Sequence, residues 1–172
     1  MHSFPVRVCQ SIRVHHSRLF QALNLIGFNP CRKEFFRGVK VHALVTTHGQ
    51  PWIVWMTSGN VHDNRGYKER APWIELEEGS NAYGDNAYSD EALENLLELG
   101  GQRLIAARKE NTTRPLHVRD FLDLQGIRKV VETIFSRITA LIPRRIDAVI
   151  ERGFKIKAMG FVTAVDFIFA IT

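Results

Sequence analysis

The order of periodicities along this chain predicts a mixed α/β fold, a central mixed sheet flanked by helices. Three observations carry that expectation. Two short apolar runs meet at His48-Gly49-Gln50-Pro51 and read as a hairpin. A strand signal ending at Gly84-Asp85 is followed by a helix and then a further strand. A long stretch from about Arg119 to Leu141 repeats its apolar residues at helical spacing.

Taken in order, Phe4-Pro5-Val6-Arg7-Val8 reads as a shortened first strand. Val39 to Val45 alternates apolar and polar residues before turning wholly apolar, as a strand entering a core does, and Trp52 to Met56 supplies its hairpin partner. Asn81 to Asp85 is a short strand. Ser89 is the expected N-cap of a helix with Asp90 and Glu91 in its first turn, ending near Leu99 at Gly100-Gly101. Arg103 to Ala107 is the next strand, and a basic loop, Arg108-Lys109-Glu110-Asn111, leaves it. In the long helix, Leu124, Ile127, Val131, Ile134, Ile138 and Leu141 share one face, and Pro143 ends it. A last helix is expected from Phe154 to Ile171, entered through Gly153.

The 172 residues suit one domain, and 45% hydrophobic with 24% charged residues is ordinary for a globular fold. No run of eighteen apolar residues exists to span a bilayer, and the terminal stretch from Ala158 carries Asp166 within it. The N-terminus lacks the features of a signal peptide, so no membrane is expected and the default compartment is the cytoplasm. Cys9 and Cys31 lie in no metal-ligand spacing and read as reduced thiols. Trp52, Trp55 and Trp73 read as core, and His15-His16, with no third ligand at a useful spacing, as surface. No Gly-rich phosphate loop, nucleophile elbow or zinc spacing is present.

The net charge of +5 is unevenly spread. Residues 1–48 hold seven Arg and Lys against one acid, residues 61–100 hold ten acids against three bases, and thirteen bases face seven acids from 101 onward. Basic segments flanking an acidic one suit a phosphate-rich partner, although solvated faces give the same pattern.

Two acids stand out. Asp85 sits at the C-terminal end of a predicted strand, where ligand sites of open α/β sheets gather. Glu132 adjoins the apolar stripe of the long helix. Together they offer hard oxygen ligands suited to Mg²⁺ or Mn²⁺. The plainer readings are a turn or capping role for Asp85 and an i,i+4 pair with Arg128 for Glu132, and spacing alone favours these.

An ordered series of blocks tips the balance. It runs Ser3-Phe4-Pro5-Val6, Gly38-Val39-Lys40-Val41-His42, Gly59-Asn60-Val61-His62-Asp63, and Tyr83-Gly84-Asp85-Asn86-Ala87-Tyr88-Ser89-Asp90. Arg108-Lys109-Glu110-Asn111 and the segment from Arg128 to Ser136 continue it. In this order the blocks resemble the DDE catalytic domain of insertion-sequence transposases, over nearly the whole chain. The resemblance implies an RNase H-like fold, DNA as partner (transposon ends and target), association with the nucleoid, and room for assembly with a second copy.

It also implies a site in which three acids hold two metal ions roughly 3.5–4 Å apart and drive phosphoryl transfer on DNA. By position the second acid is Asp85 and the third Glu132, the two catalytic and metal-binding residues expected here. Their carboxylates are expected to share one metal site near the end of the strand that begins at Phe4. The first acid should stand directly before Ser-Phe-Pro-Val, where this sequence has His2. Imidazole suits softer metals than Mg²⁺, so His2 is not expected to replace it. The chain also begins where the family is already under way, without the upstream DNA-binding region and the start of the first strand. A truncated or decayed gene copy is the expectation, defective in cleavage or reduced to a DNA-binding or partner-binding remnant. Lys40, Arg108, Lys109 and Arg128 are the bases expected to meet the DNA backbone. Asn86 stands where many relatives have Lys. His62-Asp63 is either a site-shaping pair or a satisfied turn.

Overall fold

The computed structural model describes residues 1–9, 26–29, 33–109, 112, 114–143, 146, 148 and 150–171, with the backbone alone at Cys9 and 165–171. His15-His16 and Cys31 lie outside the described residues. Strand β1 (His2–Cys9) pairs antiparallel with the long strand β3 (Glu34–Val45), placing Phe4 opposite Val41 and Val6 opposite Val39. The other edge of β3 is shared by β2 (Ile26–Asn29) and β4 (Pro51–Ser58), both antiparallel to it. A second sheet holds β5 (Asn81–Gly84) and β6 (Arg103–Ala106), which run parallel. The Met1 nitrogen donates to the Tyr83 carbonyl, so the start of β1 abuts the end of β5. Antiparallel and parallel pairs with helices make the fold mixed α/β, as expected. Among the described residues, however, the strands form two separate sheets rather than one central mixed sheet, because β1 and β5 meet only through the Met1–Tyr83 contact and do not pair along their lengths.

β3 is central because it can be buried on both faces. Val39, Val41 and Ala43 join Phe4, Val6 and Val8 on one face. Against them pack Val131, Ile134, Phe135 and Ile138 of α3 (Val118–Leu141) and Phe154, Ala158 and Val162 of α4 (Glu151–Ile171). Leu44 points to the other face, with Trp55 of β4. That second core takes Tyr67 from α1 (Asp63–Arg70) and Leu93 and Leu97 from α2 (Glu91–Leu99), together with Tyr88. The hairpin turn requires Gly49, whose φ is +92°. A Cβ there would sit 2.7 Å from Ile134 Cδ1, so the turn lies directly on α3.

Several expectations are corrected. The N-cap of α2 is Asp90, whose carboxylate accepts the Leu93 N–H at 3.0 Å; Ser89 instead closes a 3₁₀ turn over Asn86–Tyr88. An ionised acceptor beside the helix's positive end is the stronger cap of the two neighbours. Trp55 is core, but Trp52 and Trp73 are 51% and 73% exposed. Trp52 and Trp55 differ by an odd number of residues and so face opposite sides of β4. Leu141 is exposed at the end of α3, and Phe135 fills the face in its place. Ile142 leaves the helix in an extended conformation, as the residue before Pro143 must. No apolar periodicity announces the α1 helix, because its sequence is nearly all polar, with only Gly66 and Tyr67 buried.

Candidate active site

β5 ends at Gly84, where a Cβ would lie 3.0 Å from Tyr88 Cβ; glycine lets the following turn fold back tightly. Asp85 opens that turn, and its Oδ1 accepts the Ala87 N–H at 2.9 Å. The capping role open to it from sequence is therefore realised. Its other oxygen, Oδ2, lies 3.4 Å from Nδ1 of His2. The His2 ring in turn meets Phe135 of α3 edge-on, with centroids 4.7 Å apart.

Burial pushes the Asp85 carboxyl up. Hydrogen bonds from His2 and the Ala87 N–H, with the nearby positive charges, outweigh that and hold it below the ordinary carboxylate value. Beneath it Tyr88 is fully buried. Burial first, and then the Asp63 and Asp85 carboxylates, drive its phenol well above the usual range.

A cavity of about 70 Å³ opens beside Asp85, lined also by His2, Ala107, Gln125, Arg128 and Glu132. Asp85, His2 and Glu132, widely spaced in sequence, thus border one space, at the start of β1 rather than at the end of that strand as expected. It is far smaller than the roughly 300–1,000 Å³ that encloses a small organic ligand. A substrate would have to be presented at its rim, as a backbone phosphate can be.

Glu132 Oε1 accepts from Nε of Arg128 at 2.8 Å, the i,i+4 pair that its spacing permits. Both side chains are more than half exposed. Such a pair is worth only about 0.3–0.5 kcal/mol, so it does not lock either partner.

The other expected bases divide into two groups. Lys109 and Arg128 face solvent. Lys40 reaches the Asp63 carboxylate and the Val61 carbonyl, both at 2.9 Å, and its side chain is 17% exposed. Arg108 forks onto the buried Glu94, with its second contact at 3.0 Å, and reaches the Ser89 hydroxyl at 3.1 Å. A cation this sheltered requires its counter-ion, so Lys40 and Arg108 are already engaged inside the fold. Asp63 of the His62-Asp63 pair is that counter-ion for Lys40, while His62 begins α1.

Residues 1–145 match the family model described as Transposase DDE domain. The chain belongs to that family. No curated protein and no solved structure matches it.

A transposase acts on DNA, and DDE transposases generally use divalent metal ions. The residues of this DDE domain do not offer a ready site for them. Among the described residues no group of three or more His, Cys, Asp and Glu side chains could hold a metal ion. A ring nitrogen of His2 faces Asp85, and Glu132 is turned to Arg128. This donor set does not suit a pair of hard, oxygen-seeking ions. Among the described residues no helix is long and apolar enough to cross a membrane.

Proposed function

We propose that this domain derives from an insertion-sequence transposase, that it retains the handling of DNA, and that it is impaired in strand cleavage. Asp85 and Glu132 stand in this reading as the second and third acids of an RNase H-like site. The strand arrangement supports it: β4, β3 and β1 follow in antiparallel order, and the start of β1 abuts β5 of the parallel pair. The family's reaction is phosphoryl transfer, in which hydrolysis frees a 3′-hydroxyl that then attacks target DNA.

The observation that carries the proposed impairment is the contact between His2 and Asp85. An imidazole there adds no negative charge, and when protonated it repels a metal cation. What the chain's own groups do is limited to binding and orientation. The Ala87 N–H and His2 fix the Asp85 carboxylate, while Arg128 and Lys109 offer positive charge near the cavity and at the end of the strand leading to it. A second reading, a catalytically silent DNA-binding remnant, draws on the lack of any three-ligand cluster among the described residues.

Nicking of supercoiled DNA in Mg²⁺ and in Mn²⁺ tests this. The natural chain should be silent or nearly so, and His2→Asp should nick. Nicking by the natural chain that disappears in Asp85→Ala would show that two carboxylates suffice. Silence in every variant favours the remnant.

A further inference from the structure

Phe28 of β2 and Phe35 of β3 stand directly opposite each other across the strand pair, with ring centroids 5.1 Å apart and planes tilted by 55°. Alternation along β3 puts Phe35 on the face that Val39 and Val41 present to the core. At Phe35 that face lies open. Phe28 is 46% and Phe35 62% exposed, whereas Phe36, on the opposite face, is buried. Two touching rings left uncovered on a core face differ from scattered surface side chains. The strand that carries Phe28 is also firmly seated. A Cβ on Gly27 would lie 2.1 Å from the Gly59 carbonyl oxygen and 2.8 Å from the Phe36 ring, so β2 sits tight against the body of the fold.

The charges around the rings favour one sign. Lys33 is exposed in a left-handed turn, φ +50°, just before β3 begins. Arg37 lies two residues beyond Phe35 on the same face; it is buried, and its Nε has no hydrogen-bond partner among the described residues. The one acid in residues 26–40 is Glu34, and it is paired with Arg7. The neighbourhood of the rings is therefore positive. Two rings offer far less than the roughly 800 Å² per partner that a stable protein interface buries, but they suit the faces of one or two bases. Aromatic rings set among cations are the combination that holds single-stranded nucleic acid, because bases stack on the rings while phosphates answer the cations.

We propose that Phe28 and Phe35 form a stacking platform for unpaired bases of a DNA strand, with Lys33 and Arg37 supplying positive charge beside it. The inference rests on the DNA-handling reading above, and adds to it the form of DNA that is held and the place that holds it. Phe35 stands eight residues along β3 from Ala43, the partner of His2, which puts the platform about 27 Å from the Asp85 cavity. It is an anchor remote from that cavity rather than a part of it.

The test is fluorescence anisotropy of the full chain with a labelled oligothymidylate, with the same strand carrying abasic sites, and with a duplex of equal length. Phe28→Ala/Phe35→Ala should weaken binding of the oligothymidylate by about tenfold or more, the scale of lost base stacking. It should leave duplex affinity and the salt dependence as they are, since no charge is removed. Phe28→Tyr/Phe35→Tyr keeps both rings and should bind like the natural chain. Trp73→Ala removes an exposed ring elsewhere and should change nothing. Thermal midpoints check that each variant folds. Should the alanine variant melt early, the abasic strand decides with the natural chain alone, which should hold it about tenfold less tightly than the oligothymidylate. Equal affinity for those two strands, no loss in the alanine variant, or equal losses on duplex and single strand would each overturn the platform while leaving DNA binding in place. If the natural chain binds no DNA of any form, the reading beneath the inference falls and the inference with it.

Discussion

Nδ1 of His2 lies 3.4 Å from Oδ2 of Asp85, and in the proposed reading this pair stands where two carboxylates would meet across a metal site. The contact explains two things together. It helps hold a partly buried carboxylate below its ordinary pKa, and it presents a donor set that hard divalent ions do not favour.

His2→Asp should reverse that balance. Two facing carboxylates repel each other in the absence of a cation, so the variant should melt earlier than the natural chain in a chelator. Added Mn²⁺ should restore it, by about 2.7 kcal/mol at a hundredfold excess over the dissociation constant. Thermal unfolding with and without Mn²⁺ measures this. An equal metal-induced shift in the natural chain would show that His2 is no obstacle.

Mild acid should weaken the fold through a different histidine. His42 is fully buried, stacked on Trp55, with Nε2 2.8 Å from the Thr57 hydroxyl. Burial lowers its pKa from 6.5 to about 4, partly opposed by Asp63 and reinforced by Lys40. Between those values the unfolded chain takes up a proton that the folded chain refuses. The contribution of His42 is therefore intact above pH 6.5 and lost as pH falls towards 4, a cost of roughly 3 kcal/mol. Asp85 behaves likewise but only below its ordinary value of 3.8, so the two windows do not overlap. Urea unfolding at pH 7.5 and pH 5 should show the loss, and His42→Gln should flatten the difference.

Arg108 should prove structural. Its partner Glu94 is 5% exposed, and Arg108→Ala would leave that carboxylate buried with, among the described residues, only Arg114 in ion-pair range, at 4.0 Å. Stranding a buried charge costs about 3–5 kcal/mol, whereas replacing both partners with apolar residues is often neutral. Arg108→Ala should therefore lower the denaturation midpoint sharply, and Arg108→Met/Glu94→Leu should recover most of the loss. A midpoint unmoved by Arg108→Ala would return that arginine to the surface and to DNA.

Two glycines should respond in opposite directions. A Cβ on Gly38 would lie 2.2 Å from the Val6 carbonyl oxygen, so Gly38→Ala must push β1 away from β3. The cost should be about 1–3 kcal/mol or more. Gly126 sits inside α3 with nothing within 4 Å of its Cβ position. Gly126→Ala should stabilise by about 0.5–1 kcal/mol. Paired denaturant titrations decide both.

Elements with a strong local signal were legible in advance. The β3–β4 hairpin, the short strand before Asp85 and the apolar face of α3 follow from periodicity and turn residues, because burial imposes its spacing on the sequence. The four-residue strand β2 and the polar helix α1 gave no such signal. Asp63 of α1 is held through Lys40, a contact spanning 23 residues that no local pattern announces.

The sequence by itself determined the α/β class, the family, and the two acids worth following, since strand-end position and block order are properties of the chain. Only the tertiary structure decided which charges are available. Lys40 and Arg108 looked like Lys109 and Arg128 in one dimension, yet folding set the first two against Asp63 and Glu94 in sheltered surroundings. An ion removed from water must find its counter-ion wherever the fold brings one, and that partner is chosen by distance in space rather than along the chain.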